Sequence, residues 1–297
     1  MRFKGVLLSA LLMFVSTGAQ AADALLKPFV LGSKGEGTVA EKTAQTKSAL
    51  AAAGFAVVGE YAPYAGANVI VVTNDELKRN AADSEFGGYG AVQRVSVTEG
   101  AGEVQVSYTN PVYMSHAYRM QGDLAGVSAA LEKALGRVEE FGAKGMTAKS
   151  IRRYHYTIGM EYFDEPSELA EYGSYEEAVQ AVDAKLANNG NGASKVYRVD
   201  VPGKQESVFG VALKGSGDGK YMDDQFIMKE IDFRDMKSTA HLPYEVLVSG
   251  NKVYALYARF RIAINFPDLS MMGSNSFMNI MKTPEAIRLA LQKTVKK

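Results

Sequence analysis

Apolar and small side chains spaced three and four residues apart mark the first clear element. Val39, Thr43, Thr46 and Leu50 form one stripe of a helix running to about Ala53, where Gly54 stops it. Phe55 to Tyr61 and Asn68 to Thr73 are rich in β-branched and aromatic residues and flank Pro63 and Gly66, which predicts two strands of a hairpin. Asp75 to Asp83 reads as a short helix. Val92 to Thr98 and Glu103 to Tyr108 then alternate, so that Val95, Val97, Val104 and Val106 share one sheet face while Arg94, Ser96 and Gln105 share the other. Asp123 is placed to cap a helix that ends at Leu135 before Gly136.

The pattern then recurs. Tyr175, Val179, Val182 and Leu186 repeat the first stripe, IAINFP (Ile262 to Pro267) echoes VSYTNP (Val106 to Pro111), and LALQKTV at 289–295 echoes AALEKAL at 129–135. The landmarks keep their order while their separation grows, which is what one duplicated unit with longer loops in its second copy produces. The second copy is expected to contain a strand over Arg153 to Tyr162 and a helix over Tyr175 to Asn188. Strands follow at Lys195 to Val201, Ser207 to Lys214, Pro243 to Ser249 and Lys252 to Asn265, with a short helical region around Tyr221 to Ile231. A last helix starts at Pro284, capped by Thr283. The fold class is α+β: two tandem β-α-β4-α domains, each an antiparallel sheet with its helices on one face, the other face left to be covered or used.

Upstream, Arg2 and Lys4 precede the apolar run Val6 to Val15, and Ser16 to Ala21 ends in Ala19-Gln20-Ala21, the succession of a cleavable secretory signal. The run is about ten residues where a membrane span needs roughly twenty. Ala22 follows where a lipoprotein would have cysteine. The expected division is therefore 1–21 signal peptide, 22–143 first repeat and 144–297 second repeat, in a periplasmic protein with no membrane span in its mature form. The chain has 33 Lys plus Arg and 33 Asp plus Glu, and loss of Arg2 and Lys4 leaves 31 against 33. So even a balance, with no basic footprint, argues against a nucleic-acid partner. With no cysteine, disulfides, thiol nucleophiles and every Cys-containing metal site are ruled out.

GFAVVGEY after the first helix, the VSYTNP strand-to-proline step and GDLAGVSAALEKAL together resemble the small bacterial family catalogued as domain of unknown function 302, here in two copies over nearly all of the mature chain. The resemblance implies a fold similar to the TATA-box-binding-protein class of α+β domains. It brings no catalytic residues. The second copy departs from the pattern through a longer Met-rich loop.

Candidate chemistry gathers after Pro111 and Pro267. Tyr108, Tyr113, Met114, His116 and Met120 in the first copy, with Met271, Met272, Met278 and Met281 in the second, are the expected liners of a pocket for a small apolar ligand. A non-catalytic ligand-binding or interaction protein follows, its partner a small apolar molecule or another protein. The chain is expected as a monomer with pseudo-twofold lobes or as a homodimer. No cofactor is expected. The alternative is a periplasmic copper protein using Met114, His116, Met120, Met271, Met272, Met278 and Met281, since thioether and imidazole groups suit Cu(I). The plainer account of the same residues is packing, methionine being a filler of irregular apolar gaps and the free sheet faces being available to bury against each other.

An enzyme is the third reading. It requires a histidine or carboxylate with a strongly perturbed pKa in a cleft, His116 or His155 beside an acid being the natural candidates. Alternation places His155 on a strand face with Arg153 and Thr157, and His241 reads as a strand entrance. Asp223 and Asp224, like Asp164, Glu165, Glu168 and Glu171, read as solvated carboxylates, and GSGDGK (Gly215 to Lys220) as a flexible connection lacking the phosphate-loop spacing.

Overall fold

The Thr38 side chain accepts the Glu41 N–H and the Glu41 carboxylate accepts the Thr38 N–H, a reciprocal cap that starts the first helix at the predicted place. A computed structural model describes residues 24–297, so the proposed signal at 1–21 lies outside the described residues. The first half comprises β1 (Phe29–Gly35), α1 (Val39–Ala52), β2 (Ala56–Tyr61), β3 (Ala67–Thr73), α2 (Asp75–Ala82), β4 (Gln93–Gly100), β5 (Glu103–Thr109), α3 (Pro111–Ala117), α4 (Ala125–Leu135) and β6 (Glu139–Phe141). After α5 (Ala148–Arg152), the second half comprises β7 (Ser167–Glu171), α6 (Tyr175–Ala187), β8 (Ala193–Asp200), β9 (Glu206–Leu213), α7 (Asp224–Ile231), β10 (Tyr244–Ser249), β11 (Lys252–Ala255), α8 (Ala258–Asn265) and α9 (Thr283–Val295).

Both sheets are antiparallel, in the orders β2-β3-β4-β5-β1-β6 and β8-β9-β10-β11-β7. By position within each half, both orders read second, third, fourth, fifth, first, with β6 added to the first sheet. The α+β class with helices on one sheet face is thus present twice, with one connectivity.

Three sequence expectations are corrected. IAINFP is not a strand: β11 ends at Ala255, and Ile262 to Asn265 belong to α8, which follows β11 as α3 follows β5. Its β-branched residues suggest a strand, but seven of its eight residues are buried on several sides, and burial overrides propensity. Arg153 to Tyr162 forms turns, with Gly159 at φ 78° and Ile158 at 95% exposure, because its alternating side chains find no strand to pair with. The helix at Pro284 starts one residue earlier than expected, so Thr283 lies within it and Lys282 precedes it.

The two free faces cover one another. Arg94, Ser96, Thr98, Gln105, Ser107 and Thr109 alternate away from the helices and are all buried. Such positions ordinarily face water in a one-sided antiparallel sheet. Here the second half closes over them: Gln105 Nε2 donates to Asp235 O at 2.9 Å, Lys237 N donates back to Gln105 Oε1 at 2.9 Å, and Tyr64 and Thr239 hydroxyls meet at 2.9 Å. Tyr197, Val199, Val208 and Leu247 from the second sheet belong to the same buried apolar cluster as Val69, Val71 and Tyr89 of the first half. At one edge β2 meets β8 so closely that a Cβ on Gly59 would lie 2.6 Å from Val196 O. The halves therefore share connectivity but not separate interiors. Only the helix side of the second sheet, with Val182, Leu186, Phe209, Val246 and Leu291, keeps a core of its own.

Candidate functional site

The residues expected to line one pocket are divided by the fold. Tyr108, Tyr113, Met114 and Met120 are buried in the shared core. Tyr108 donates to Gly136 O at 3.0 Å and Tyr113 to Ile264 O at 2.7 Å, so both hydroxyls tie backbone together. Met120 fills the space that the missing side chain of Gly90 leaves. His116 is half-buried on α3, and burial, followed by the nearby Arg152 charge, holds its pKa below the ordinary histidine value. Met271, Met272, Met278 and Met281, by contrast, are exposed. A concave Met/Tyr pocket joining both sets is not formed, because Met114 on α3 and Met120 just after it turn inward while the longer loop after α8 turns its methionines outward. The His155 ring lies tilted against Tyr162, centroids 4.5 Å apart, with Nδ1 at 2.9 Å from Thr157 O, in a turn rather than on a strand face.

Charge is concentrated instead between the sheets. Glu245, the second residue of the otherwise uncharged β10, is buried against Arg94 of β4 and against Arg261 of α8, whose Nε lies 3.1 Å from Glu245 Oε2. Burial opposes the Arg261 charge, but Glu245, with the Tyr118 and Tyr244 hydroxyls, outweighs it and raises its pKa above the ordinary value. Arg261 Nη1 is 3.1 Å from His241 Nδ1, and His241 Nε2 is 3.2 Å from the Tyr244 hydroxyl. A guanidinium only donates, so Nδ1 accepts and the proton resides on Nε2. Burial, reinforced by Arg261 and Arg94, holds the His241 pKa well below its ordinary value and the ring neutral. This network belongs to the joint between the halves: Glu245 pairs with both guanidiniums and His241 bridges Arg261 to Tyr244, while Arg94 Nε alone lacks a partner among the described residues. The sequence carried a signal for it that alternation overlooks: the one charge inside YEVLVS and the second of the two arginines inside ARFRIAIN.

Two buried carboxyls have more chemical freedom. Asp224 Oδ2 accepts Leu213 N–H at 3.1 Å and the Tyr61 hydroxyl at 3.2 Å, and burial pushes its pKa up to about 8. Asp223 beside it caps α7 through Phe226 N at 2.8 Å. The expectation of a solvated pair is thus overturned at Asp224, which turns inward where Asp223 faces the helix end.

Asp232 follows α7. Its Oδ1 accepts Ser238 N–H at 2.8 Å, while Oδ2 is buried with no hydrogen-bond partner. Burial pushes this carboxyl up to about 7, with the Ser238 N–H, the Lys237 charge and, more weakly, the Thr239 and Ser238 hydroxyls pulling the other way. It borders a cleft of about 60 Å³ between the end of β6 and the segment after α8, whose walls include Phe141, Met236, Phe266 and Leu269. On its other side lies a second recess of about 190 Å³ formed by Tyr64, Thr98, Met228 and Lys237. Nothing in KEIDFRD distinguishes Asp232 from its acidic neighbours Glu230 and Asp235, which are not buried; only the closing of Ser238 and β6 around it does.

Among the described residues, no group of three or more His, Asp or Glu side chains sits together as a metal-ion cage would require, and no helix is long and apolar enough to cross a membrane. Compared with family models, curated proteins and solved structures, the chain has no match.

Proposed function

We propose that this chain is an exported, periplasmic, non-catalytic protein that binds a small molecule in the cleft beside Asp232. The observation that carries this reading is the unpartnered Asp232 Oδ2. A buried acceptor without a donor costs about 1 to 3 kcal/mol, and a ligand that supplies the donor recovers it. The apolar walls at Phe141, Phe266 and Leu269 leave about 60 Å³, room for only a few heavy atoms, so the ligand class is a very small aliphatic molecule ending in an ammonium or hydroxyl group. The repeated strand order fits the duplication read from the sequence, and export rests on the basic, apolar and small-residue succession through Ala21.

An enzyme reading would use the same Asp232 carboxyl as a base near neutral pH. Binding is favoured because no histidine lines the cleft and its second carboxylate, Asp268, is exposed and already accepts Lys144 N–H at 2.7 Å.

The test is a titration of the mature protein with ethylamine and, separately, ethanol, followed by the methyl resonances of Ile231 and Met236. The amine is expected to shift both and to lose its effect in Asp232→Asn. Equal response in wild type and variant, or none in either, rejects the site.

A further inference from the structure

Between Asp268 and Leu289 every exposed large apolar side chain is methionine: Met271 at 45%, Met272 at 76%, Met278 at 49% and Met281 at 55% exposure. The inward residues of the same stretch are Leu269, Phe277 and Ile280. A surface selected only for apolar area would draw on leucine, isoleucine and phenylalanine as well; this one exposes thioethers alone. The packing role expected of these residues is excluded by their exposure.

The loop holding them is braced. Ser270 O accepts Phe277 N–H at 2.9 Å and Met271 O accepts Met278 N–H at 3.2 Å, so the two ends of the loop lie side by side. Ser270 Oγ bonds Met272 O at 2.8 Å and Ser276 Oγ bonds Gly273 O at 2.9 Å. Asn275 Nδ2 donates to Glu230 O at 3.3 Å and Asn279 Nδ2 to Glu230 Oε2 at 3.0 Å, fixing the loop to α7. Phe277 to Ile280 forms a 3₁₀ turn, in which residues three apart eclipse each other. Met278 and Met281 are so spaced, and both are exposed while Phe277 and Ile280 are buried. Met271, joined to Met278 through the backbone, adds a third thioether, and the Tyr156 hydroxyl contacts its sulfur while the Tyr156 ring stands 5.8 Å from Phe277.

We infer that Met271, Met278 and Met281 form a surface site for a soft monovalent cation, Cu(I), with Met272 at its rim. Neutral thioether sulfur favours Cu(I) over hard divalent ions, which need carboxylate or carbonyl oxygen. The nearest cationic group along the chain, Lys282, is held 5.3 Å from the Tyr221 ring, where it is occupied with the aromatic face. Met114, His116 and Met120 have no part in the site, being on another element and, for the two methionines, buried.

The experiment uses the mature protein carrying ¹³C-methyl methionine. It is titrated with Ag(I) as a redox-inert probe and, without oxygen, with Cu(I) against bicinchoninate. The ε-methyl resonances of Met271, Met278 and Met281 should move together and saturate at one equivalent, with Met114 and Met120 unmoved as internal controls. The variant M271L/M278L/M281L should lose Cu(I) competition while keeping the wild-type unfolding midpoint, since the positions are exposed. Unmoved resonances, three resonances that saturate at different concentrations, or a triple variant that competes as wild type does would each overturn the site. Asp232→Asn should bind Ag(I) normally, so failure here and failure of the cleft are distinguishable.

Discussion

Arg94 and Glu245 form an ion pair 151 residues apart in sequence, from the fourth strand of one sheet to the equivalent strand of the other. The two strands occupy matching places in their sheets, so this contact joins the duplicated units through a matched pair of elements bearing opposite charges. Glu245 is also the carboxylate of Arg261, which makes one anion the counterion of two buried cations. Removing it by Glu245→Gln leaves both guanidiniums uncompensated and is expected to destabilise by about 3 to 5 kcal/mol, the range for breaking a buried pair. Arg94→Met should cost less, because Glu245 retains Arg261. Urea unfolding of the two variants checks the order; an Arg94 variant weaker than the Glu245 variant contradicts this account of the network.

Asp224 makes stability depend on pH with a definite sign. Its folded pKa is about 8 against an ordinary 3.8, so the folded state holds a proton that the unfolded state has released. Its contribution is complete below about pH 4 and is lost as pH rises through about 8. Asp224→Asn, which imitates the protonated carboxyl, should match wild type near pH 4 and exceed it near pH 9. His241 acts in the opposite sense: its depressed pKa means that stability is lost as pH falls below the ordinary histidine value of 6.5. Thermal melts across pH 4 to 9 test both limbs, and an Asp224→Asn curve parallel to wild type would falsify the assignment.

Methionines of the two halves should respond oppositely to truncation. Met114→Ala and Met120→Ala remove buried side chains and are expected to cost about 2 to 5 kcal/mol. Met272→Ala and Met281→Ala should stay within about 0.5 kcal/mol, as exposed substitutions generally do. Comparable losses at all four would show that the loop after α8 packs against something.

The edge between β2 and β8 leaves no room at Gly59. Because the obstructing atom is the Val196 backbone oxygen, which cannot swing aside, Gly59→Ala is expected to destabilise by about 1 to 3 kcal/mol. It should also raise amide exchange along β8. A neutral substitution would place the two edges farther apart than this.

Much of the architecture is written locally. Thr38 and Glu41, Ser174 and Glu177, and Asn74 at the start of α2 determine helix starts through hydrogen bonds three residues long. Alternation at Val95, Val97, Val104 and Val106 determined which side of the first sheet meets the helices. These features need only neighbours, so one sequence displays them. What alternation could not state is where the opposite face goes: Arg94, Ser96 and Gln105 look like solvent residues until the second half covers them.

The same limit explains the errors in detail. Ile262 to Asn265 carries strand formers but is a helix because it is surrounded on several sides. Arg153 to Tyr162 alternates like a strand but has no partner edge. The candidate ligand residues fell apart because they occupy unlike places, Met114 and His116 within α3 and Met271 to Met281 in the loop after its counterpart α8, and which of those places is covered is a property of loop length and tertiary closure. Asp232 became the cleft carboxyl for the same reason: its pKa and its unpartnered oxygen are created by Ser238, β6 and the segment after α8 coming together around it. Local hydrogen bonding and periodicity are encoded residue by residue, whereas desolvation exists only once distant segments exclude water from a common space.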